Sequence, residues 1–471
     1  MRPDLAPFFA PKSVAVLGAG ERPTSSGGAV LQNLRKAAFA GQVIPVNAKG
    51  GTIFGLPARR SLAELESPAD LVVIVIRPDL ILEAVDAAAR SGHRHLLILP
   101  GGFAEAGAEG RARDAALRAL VRQHGLVVTG PNCAGIIHLP ANGRFAATFL
   151  RDLPPGPNTR GGVALISQSG ALAEEAIAAA NARRLPLGTV VSVGNAMQLG
   201  IADFLEHLGG DPGISAVLLY IESIDDPGRF AAAARPVAAQ KPVIALIGGR
   251  TPAGARAAMA HTGAAAGEEA ALDRLCAENG VLRVTSLRRL FLAAKGFGSF
   301  PSGLGRRILI LSNSGGPGVL CTDQAAAEGL DLVALPERMR RTLAAALPGE
   351  ASIANPLDLL ADAREDRFAL ALDAALREGA AAFDAILGIH VVPFMVDAEP
   401  VVRGLAAAGG AGALPMMHAM MGTLPDKAAW FAALEAAGIP AFDDVEAMAE
   451  SAGLLARYPA LRARAGSSGE G

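Results

Sequence analysis

Aromatic residues are scarce in this 471-residue chain: Phe, Trp and Tyr together make up 4%, with one tryptophan and two tyrosines. That argues against a stacking platform for nucleic-acid bases, which needs rings in number. Cysteine is scarcer still. Cys133, Cys276 and Cys321 stand too far apart in sequence for a metal-type cluster or a disulfide framework. Neither sign of charge prevails, since 43 Lys and Arg offset 45 Asp and Glu to a formal net charge of −2. This removes the electrostatic reason to expect nucleic acid or an anionic membrane as partner. No apolar run approaches the ~18 residues of a membrane span. Met1–Leu5 also lacks the apolar core of a signal peptide. A soluble cytoplasmic protein is expected.

What the chain does have is small and aliphatic residues in alternating patterns. Hydrophobic residues make up 51% and there are 55 glycines. Strand-like runs alternate with helical patterns, which predicts an α/β protein with parallel sheets. The first set is Ser13–Leu17, Gln42–Val46, Leu71–Ile76, His95–Leu99 and Gly125–Val128. A turn-rich stretch, Asp152–Asn158, precedes the second set: Val163–Ile166, Thr189–Val193, Ala216–Ile221, Pro242–Ile247 and Val281–Val284. Phe300–Gly303 precedes the third: Arg307–Leu311, Leu330–Ala334, Ala385–Ile389 and Pro415–Ala419. Three consecutive doubly wound domains are predicted. They are a Rossmann-like domain over 1–140 and two flavodoxin-like domains over 160–297 and 303–460, with 461–471 a disordered tail.

Glycine loops follow several of these strands. After Ser13–Leu17 come Gly18-Ala19-Gly20 and, before a helix, Gly27-Gly28. This resembles a dinucleotide fingerprint, but Pro23 stands where the third glycine belongs. The second strand ends at Asn47 and Lys49 rather than at a ribose-binding acid. Asn47 and Lys49 suit a phosphorylated ribose or a pyrophosphate. Gly101-Gly102-Phe103 and Gly130-Pro131-Asn132-Cys133 also follow strands, whose carboxyl ends face one crevice in an open parallel sheet. Taken singly, each loop also reads as a tight turn with no ligand, but three of them converging on one crevice favour a nucleotide-like ligand.

In the second set, Ser167-Gln168-Ser169-Gly170 places two hydroxyls and a glycine at a helix start, a phosphate cradle or an ordinary cap. Further on, His261 lies in a run of small residues from Gly249 to Gly267, with Arg250 and Arg256 before it. Small neighbours admit an anion to the imidazole, and backbone N–H groups around Thr262 and Gly263 would cradle it. A neutral histidine is a nucleophile, so phosphoryl transfer onto His261 is one reading. A histidine in an unliganded glycine-rich loop is the other. Glu222, at the carboxyl end of a strand, is placed to take a proton from one nitrogen of His261 and fix its tautomer, or to face solvent. His93 and His95 lie at the wrong end of their strand for the crevice. His390 and His418 read as core or inter-domain residues, and His124, His138 and His207 lack companion ligands. No metal bound by this chain alone is expected.

These motifs, in order from Phe8 to about Leu455, resemble the α subunit, or α-like half, of nucleoside-diphosphate-forming acyl-CoA synthetases, of the ADP-forming acetyl-CoA synthetase type in the succinyl-CoA synthetase superfamily. Further carriers are Pro45-Val46-Asn47, Ser192-Val193-Gly194-Asn195, Leu219-Tyr220-Ile221-Glu222, Ser312–Gly318 and Asn355–Leu359. The resemblance implies a CoA-binding first domain, with Gly18, Ala19, Gly28, Asn47, Lys49, Gly102, Phe103, Pro131 and Asn132 around the coenzyme. It implies a phosphohistidine at His261 oriented by Glu222, and phosphate held by Ser167, Ser169, Gly170, Thr262 and Gly263. Acid, CoA and nucleoside triphosphate would interconvert with acyl-CoA, nucleoside diphosphate and phosphate through an acyl phosphate.

Two departures matter. Ala196-Met197-Gln198 follows Gly194-Asn195 where the family often shows an Ala-Asp pair, which puts the acyl pocket in question. No ATP-grasp region follows the third domain. A separate ATP-grasp β subunit binding ATP or ADP with Mg²⁺ is therefore expected, in an α₂β₂ assembly or around a homodimeric core. A CoA- or acyl-CoA-binding regulatory protein without catalysis is the alternative, against which the intact His261-Thr262-Gly263 run speaks.

Overall fold

The computed structural model describes residues 3–22, 24–140, 143–158, 160–262, 268–394, 396–410 and 414–467, without the side chains of 258–262, 410 and 467. The chain divides into two compact units. Met1–Pro157, Gly161–Thr285 and Ala465–Gly471 form the first; Asn158–Arg160 and Ser286–Arg464 form the second.

The first unit holds two sheets. One contains β1 (Ser13–Leu17) and β2 (Gln42–Val46); a small hairpin, β3 (Thr52–Ile53) and β4 (Leu56–Pro57), interrupts before β5 (Leu71–Ile74), β6 (His95–Ile98) and β7 (Val127–Thr129) complete it. Its order is β2-β1-β5-β6-β7, all parallel. The other contains β8 (Gly135–His138), β9 (Phe145–Thr148), β10 (Gly162–Ser167), β11 (Leu187–Ser192), β12 (Ile214–Ile221), β13 (Val243–Ile247) and β14 (Leu282–Val284). Its order is β14-β13-β12-β10-β11-β8-β9, parallel except for the antiparallel β8–β9 hairpin on β11. In each sheet the first parallel strand sits between its two successors. The chain therefore reverses its winding there and opens a crevice at the strands' carboxyl ends.

Three expectations change. β8, within the span 1–140 expected for the first domain, belongs to the second sheet, and the first two sheets share one compact unit. Asn33, buried on helix Ser26–Lys36, donates to the Thr148 and Leu150 carbonyls at 2.9 and 2.8 Å. Phe9 stacks on His207 at 4.6 Å, with Phe204 and His138 edge-on. One continuous apolar core thus runs from Phe8 through Phe145 to Ile247. The tail predicted over 461–471 is also overturned for most of its length, because helix Val445–Ser467 runs through it. Leu461, Ala463 and the flanking arginines are good helix formers.

The third change concerns His261. The alanine-rich run before it forms helix Pro252–Thr262, so His261 sits in that helix's last turn, and the next helix begins at Glu269. Alanine is the strongest helix former, which outweighs Gly254.

The second unit carries β15 (Arg307–Ser312), β16 (Asp331–Leu332), β17 (Ser352–Ile353), β18 (Leu357–Asp358), β19 (Ala385–His390), β20 (Met416–Met420) and β21 (Ala441–Phe442). They run in the order β17-β18-β15-β19-β20-β21, with β16 beside β15. Its core packs Leu309, Phe368, Ile386 and Leu405 between sheet and helices. No described helix is long and apolar enough to cross a membrane.

Candidate functional site

A cleft of about 1180 Å³ opens in the first unit, lined from both sheets. From the first sheet come Val75-Ile76-Arg77 after β5, Leu99–Gly101 after β6, and Asn132–Ala134 after β7; Ser26 of the first helix joins them. From the second come Gln168–Ala171 after β10, Gly194–Ala196 after β11, and Glu222 and Ser223 after β12. Asn132, Ser169, Gly170 and Glu222 among the expected site residues therefore meet in one cavity.

Each loop is held from below. Ser167, fully buried at the end of β10, donates its hydroxyl to the Ser169 carbonyl at 2.7 Å and accepts the Ser169 N–H at 3.1 Å. Ser169 caps helix Gly170–Arg183 by accepting the Leu172 N–H at 3.3 Å. The helix's first N–H groups and positive dipole end thus face the cleft, the arrangement that binds anions. Ser167 is the support of this cradle and Ser169 its rim.

Opposite, Gly194 turns with φ +57°, and a Cβ there would come 2.3 Å from the Asn132 carbonyl. This close approach joins the two loops. The Asn132 amide donates to Asn195 Oδ1 at 3.1 Å, and Asn195 in turn donates to Glu105. Burial pushes the Glu105 carboxyl up, but the Asn195 amide and the Gly102 and Phe103 N–H groups outweigh it and hold the group below its ordinary value. Glu105 was missed from the sequence. The chain of contacts Glu105–Asn195–Asn132 spans 90 residues, and nothing local signals it.

The remaining expected ligands are not among the residues that line the cleft. Gly18 (φ +96°) and Ala19 both donate their N–H groups to the Val46 carbonyl, at 3.0 and 3.3 Å. Gly28 N–H is taken by the Ser25 hydroxyl, the cap of the first helix. Asn47 donates to the Ala19 carbonyl at 2.6 Å and accepts the Lys49 N–H, and Lys49 itself is exposed. Gly102 turns with φ +95°, Phe103 is fully buried beside the Arg113 guanidinium, and Pro131 follows a cis bond. Thr262 and His261 fall on the described backbone, but their side chains, like Gly263 altogether, lie outside the described residues.

Met197 and Gln198, where the sequence departs from the family's pattern, do not line the cleft. Gln198 instead pairs with the edge strand, accepting the Val128 N–H at 2.6 Å and donating to the Leu126 carbonyl at 2.9 Å. Arg118 donates to the Met197 carbonyl. The substitution is a structural stitch. Cys133, on the cleft wall, is pushed up to about 12 by burial, so its thiol stays protonated. His93 is likewise structural: buried, it accepts the Ala69 N–H at 3.0 Å.

Comparison with known proteins agrees with this geometry. Residues 12–139 match the CoA binding domain family and residues 160–297 the succinyl-CoA ligase like flavodoxin domain family. A CoA-binding layer and a succinyl-CoA-ligase-type layer around a shared cleft define a subunit of an acyl-CoA ligase. Two Pyrococcus furiosus proteins, the α subunits of acetate–CoA ligases [ADP-forming] II and I, are each 32% identical to the chain. The first alignment covers 94% of this chain and 96% of that subunit, the second 98% and 99%. The solved dinucleotide-forming acetyl-coenzyme A synthetase 1 of Ca. Korarchaeum cryptofilum, in complex with phosphate and ADP, superposes with a TM-score of 0.91. It is 29% identical, with 99% of both chains covered. The chain belongs to the family of α subunits of ADP-forming acetate–CoA ligases.

Proposed function

We propose that the chain is the acyl-transferring and phosphohistidine-bearing subunit of an acyl-CoA synthetase that forms a nucleoside diphosphate. Inorganic phosphate attacks the thioester carbonyl of acyl-CoA and expels CoA, leaving an acyl phosphate. One ring nitrogen of His261 takes the phosphoryl group and releases the carboxylic acid. A nucleoside diphosphate then accepts it to become the triphosphate. Each step reverses.

The observation that carries this reading is the single cleft in which Asn132 of the first sheet meets Ser169, Gly170 and Glu222 of the second. The N-terminus of helix Gly170–Arg183 suits phosphate. Glu222, whose carboxylate takes no hydrogen bond from any described residue, is free to receive the second imidazole N–H and hold the attacking tautomer. Lys49, Arg59 and Arg60, exposed around the carboxyl end of β2, suit the phosphates of CoA. ADP and Mg²⁺ are assigned to a separate ATP-grasp β subunit, and the assembly to α₂β₂.

Intact-mass analysis after incubation with acyl-CoA, phosphate and Mg²⁺, beside a His261→Ala control, tests the reading. One acid-labile phosphoryl group on the wild type and none on the control is the expected result. CoA binding with no gain from any acyl-CoA, alone or with a co-purified partner, would mark the chain as a binding protein.

A further inference from the structure

The end of β10 and the end of β12 lie side by side, with Ser167 opposite Tyr220. The last backbone bond between them runs from the Gln168 N–H to the Tyr220 carbonyl at 3.2 Å. Beyond it the strands part: one chain turns into helix Gly170–Arg183, the other continues as Glu222 and Ser223. Parting strands leave the next N–H and C=O groups without ladder partners, and such groups must find others.

The Gln168 side chain supplies them. Its Oε1 accepts the N–H groups of both Glu222 and Ser223, the latter at 3.1 Å, and its Nε2 donates to the Ser223 carbonyl at 3.1 Å. A primary amide here reproduces what one more peptide unit of β10 would offer, and so extends the ladder by a residue. The effect falls on Glu222. Its main chain is fixed from the neighbouring strand while its carboxylate is left free in the cleft. A glutamate reaches a neighbouring imidazole through three rotatable bonds, so fixing its Cα decides where the carboxylate can go. The same loop, through Ser169 and Gly170, forms the anion cradle.

We propose that Gln168 is a positioning residue for the phosphohistidine step: it locks Glu222 to the phosphate cradle, so that the group orienting His261 and the group holding phosphate move as one body. This rests on the reading of His261 and Glu222 above. An ordinary cap would serve the helix as well with Ser169 alone. The three bonds of Gln168 go to β12's continuation and none to its own helix.

A double-mutant cycle on the full chain separates positioning from mere stability. The rate of acid-labile ³²P incorporation from labelled phosphate and acyl-CoA is measured for wild type, Gln168→Met, Glu222→Gln and the double variant. Gln168→Met keeps the length and packing of the side chain without its polar atoms, and Gln168→Ala is a second probe if it folds poorly. Misplacement of a reacting group by about 1 Å costs on the order of 10²-fold. Gln168→Met is expected to slow incorporation roughly 10- to 100-fold, with the apparent KM for acyl-CoA nearly unchanged and the melting temperature lowered by no more than about 5 °C, as losing its three bonds to the Glu222–Ser223 main chain entails. In the Glu222→Gln background the same substitution is expected to change the rate less than about twofold, because the group it positions is gone. A Gln168→Met rate equal to wild type, or an equal loss in both backgrounds, overturns the proposal while leaving the phosphohistidine reading intact. Absence of label on the wild type with every acyl-CoA tried overturns that reading, and the role of Gln168 with it.

Discussion

Gly18 shows how a residue named for binding earns its place by packing. Its φ of +96° is open to glycine, and a Cβ there would lie 2.5 Å from the Val75 carbonyl oxygen. Its N–H is already spent on Val46. The glycine lets the chain leaving β1 lie close against Val75 at the carboxyl end of the sheet, and the cleft there is lined by Ser26 and Val75. Gly18→Ala is expected to cost about 1–3 kcal/mol, read as a lower urea midpoint at unchanged slope, and to weaken CoA binding as the loop shifts. The three thiols give a second residue-level expectation. Burial pushes Cys133 and Cys321 up to about 12 and Cys276 to about 11, so almost no thiolate forms near neutrality. The folded chain should resist iodoacetamide at pH 8 and take up three equivalents once unfolded. Rapid labelling of the native protein would show that one of these side chains is reachable.

Among the elements, long apolar runs were legible and short paired ones were not. β1 and β2 match their expected spans residue for residue, because Val14–Val16 and Val43–Val46 are aliphatic runs bounded by turn residues. The β8–β9 hairpin went unread. Gly135–His138 and Phe145–Thr148 are four residues each, and the pairing of β8 to β11 brings together residues about 50 apart. Local pattern carries no trace of such a partner. The same holds at the site: Ser169 and Glu222 announced themselves by residue type at strand ends, whereas Glu105 and the clamp from Gln168 depend on contacts 90 and 54 residues away. Asn33 tests how far the hairpin unites the two sheets. Its amide donates to two main-chain carbonyls, one on the last residue of β9 and one two residues beyond, from inside the core. Asn33→Ala removes a donor from each of these two buried acceptors. A loss of roughly 1–3 kcal/mol is expected, with the first unit's two sheets still unfolding together in denaturant. Separate unfolding of the two sheets in the wild type would contradict the single core described here.

At the scale of the molecule, the most strongly lowered histidines lie in the second unit, while burial also lowers His93, His138 and His207 in the first. His390 on β19 and His418 on β20 are buried with ring centroids 6.3 Å apart, and none of their four ring nitrogens has a hydrogen-bond partner among the described residues. Burial lowers His390 to about 4; burial, and then the charge of His390, lowers His418 to about 3. The fold therefore holds both rings neutral where an unfolded chain, with ordinary values near 6.5, would protonate them. Above about pH 6.5 both states are neutral and the pair makes stability independent of pH. As the pH falls from about 6.5 towards 4, the unfolded chain gains two protons that the fold excludes. Stability then drops by up to about 2.7 kcal/mol per pH unit. The loss levels off only below about pH 3, where the folded rings protonate as well. Calorimetry between pH 7.5 and 4.5 should show one unfolding transition moving steeply to lower temperature with acid. His418→Phe keeps a ring against Gly388 and removes the pair's most deeply buried base. It is expected to halve the contribution of the pair to that pH dependence and to leave the neutral-pH transition as high as wild type or higher. An unchanged dependence in the variant would place the acid-labile element elsewhere in the chain.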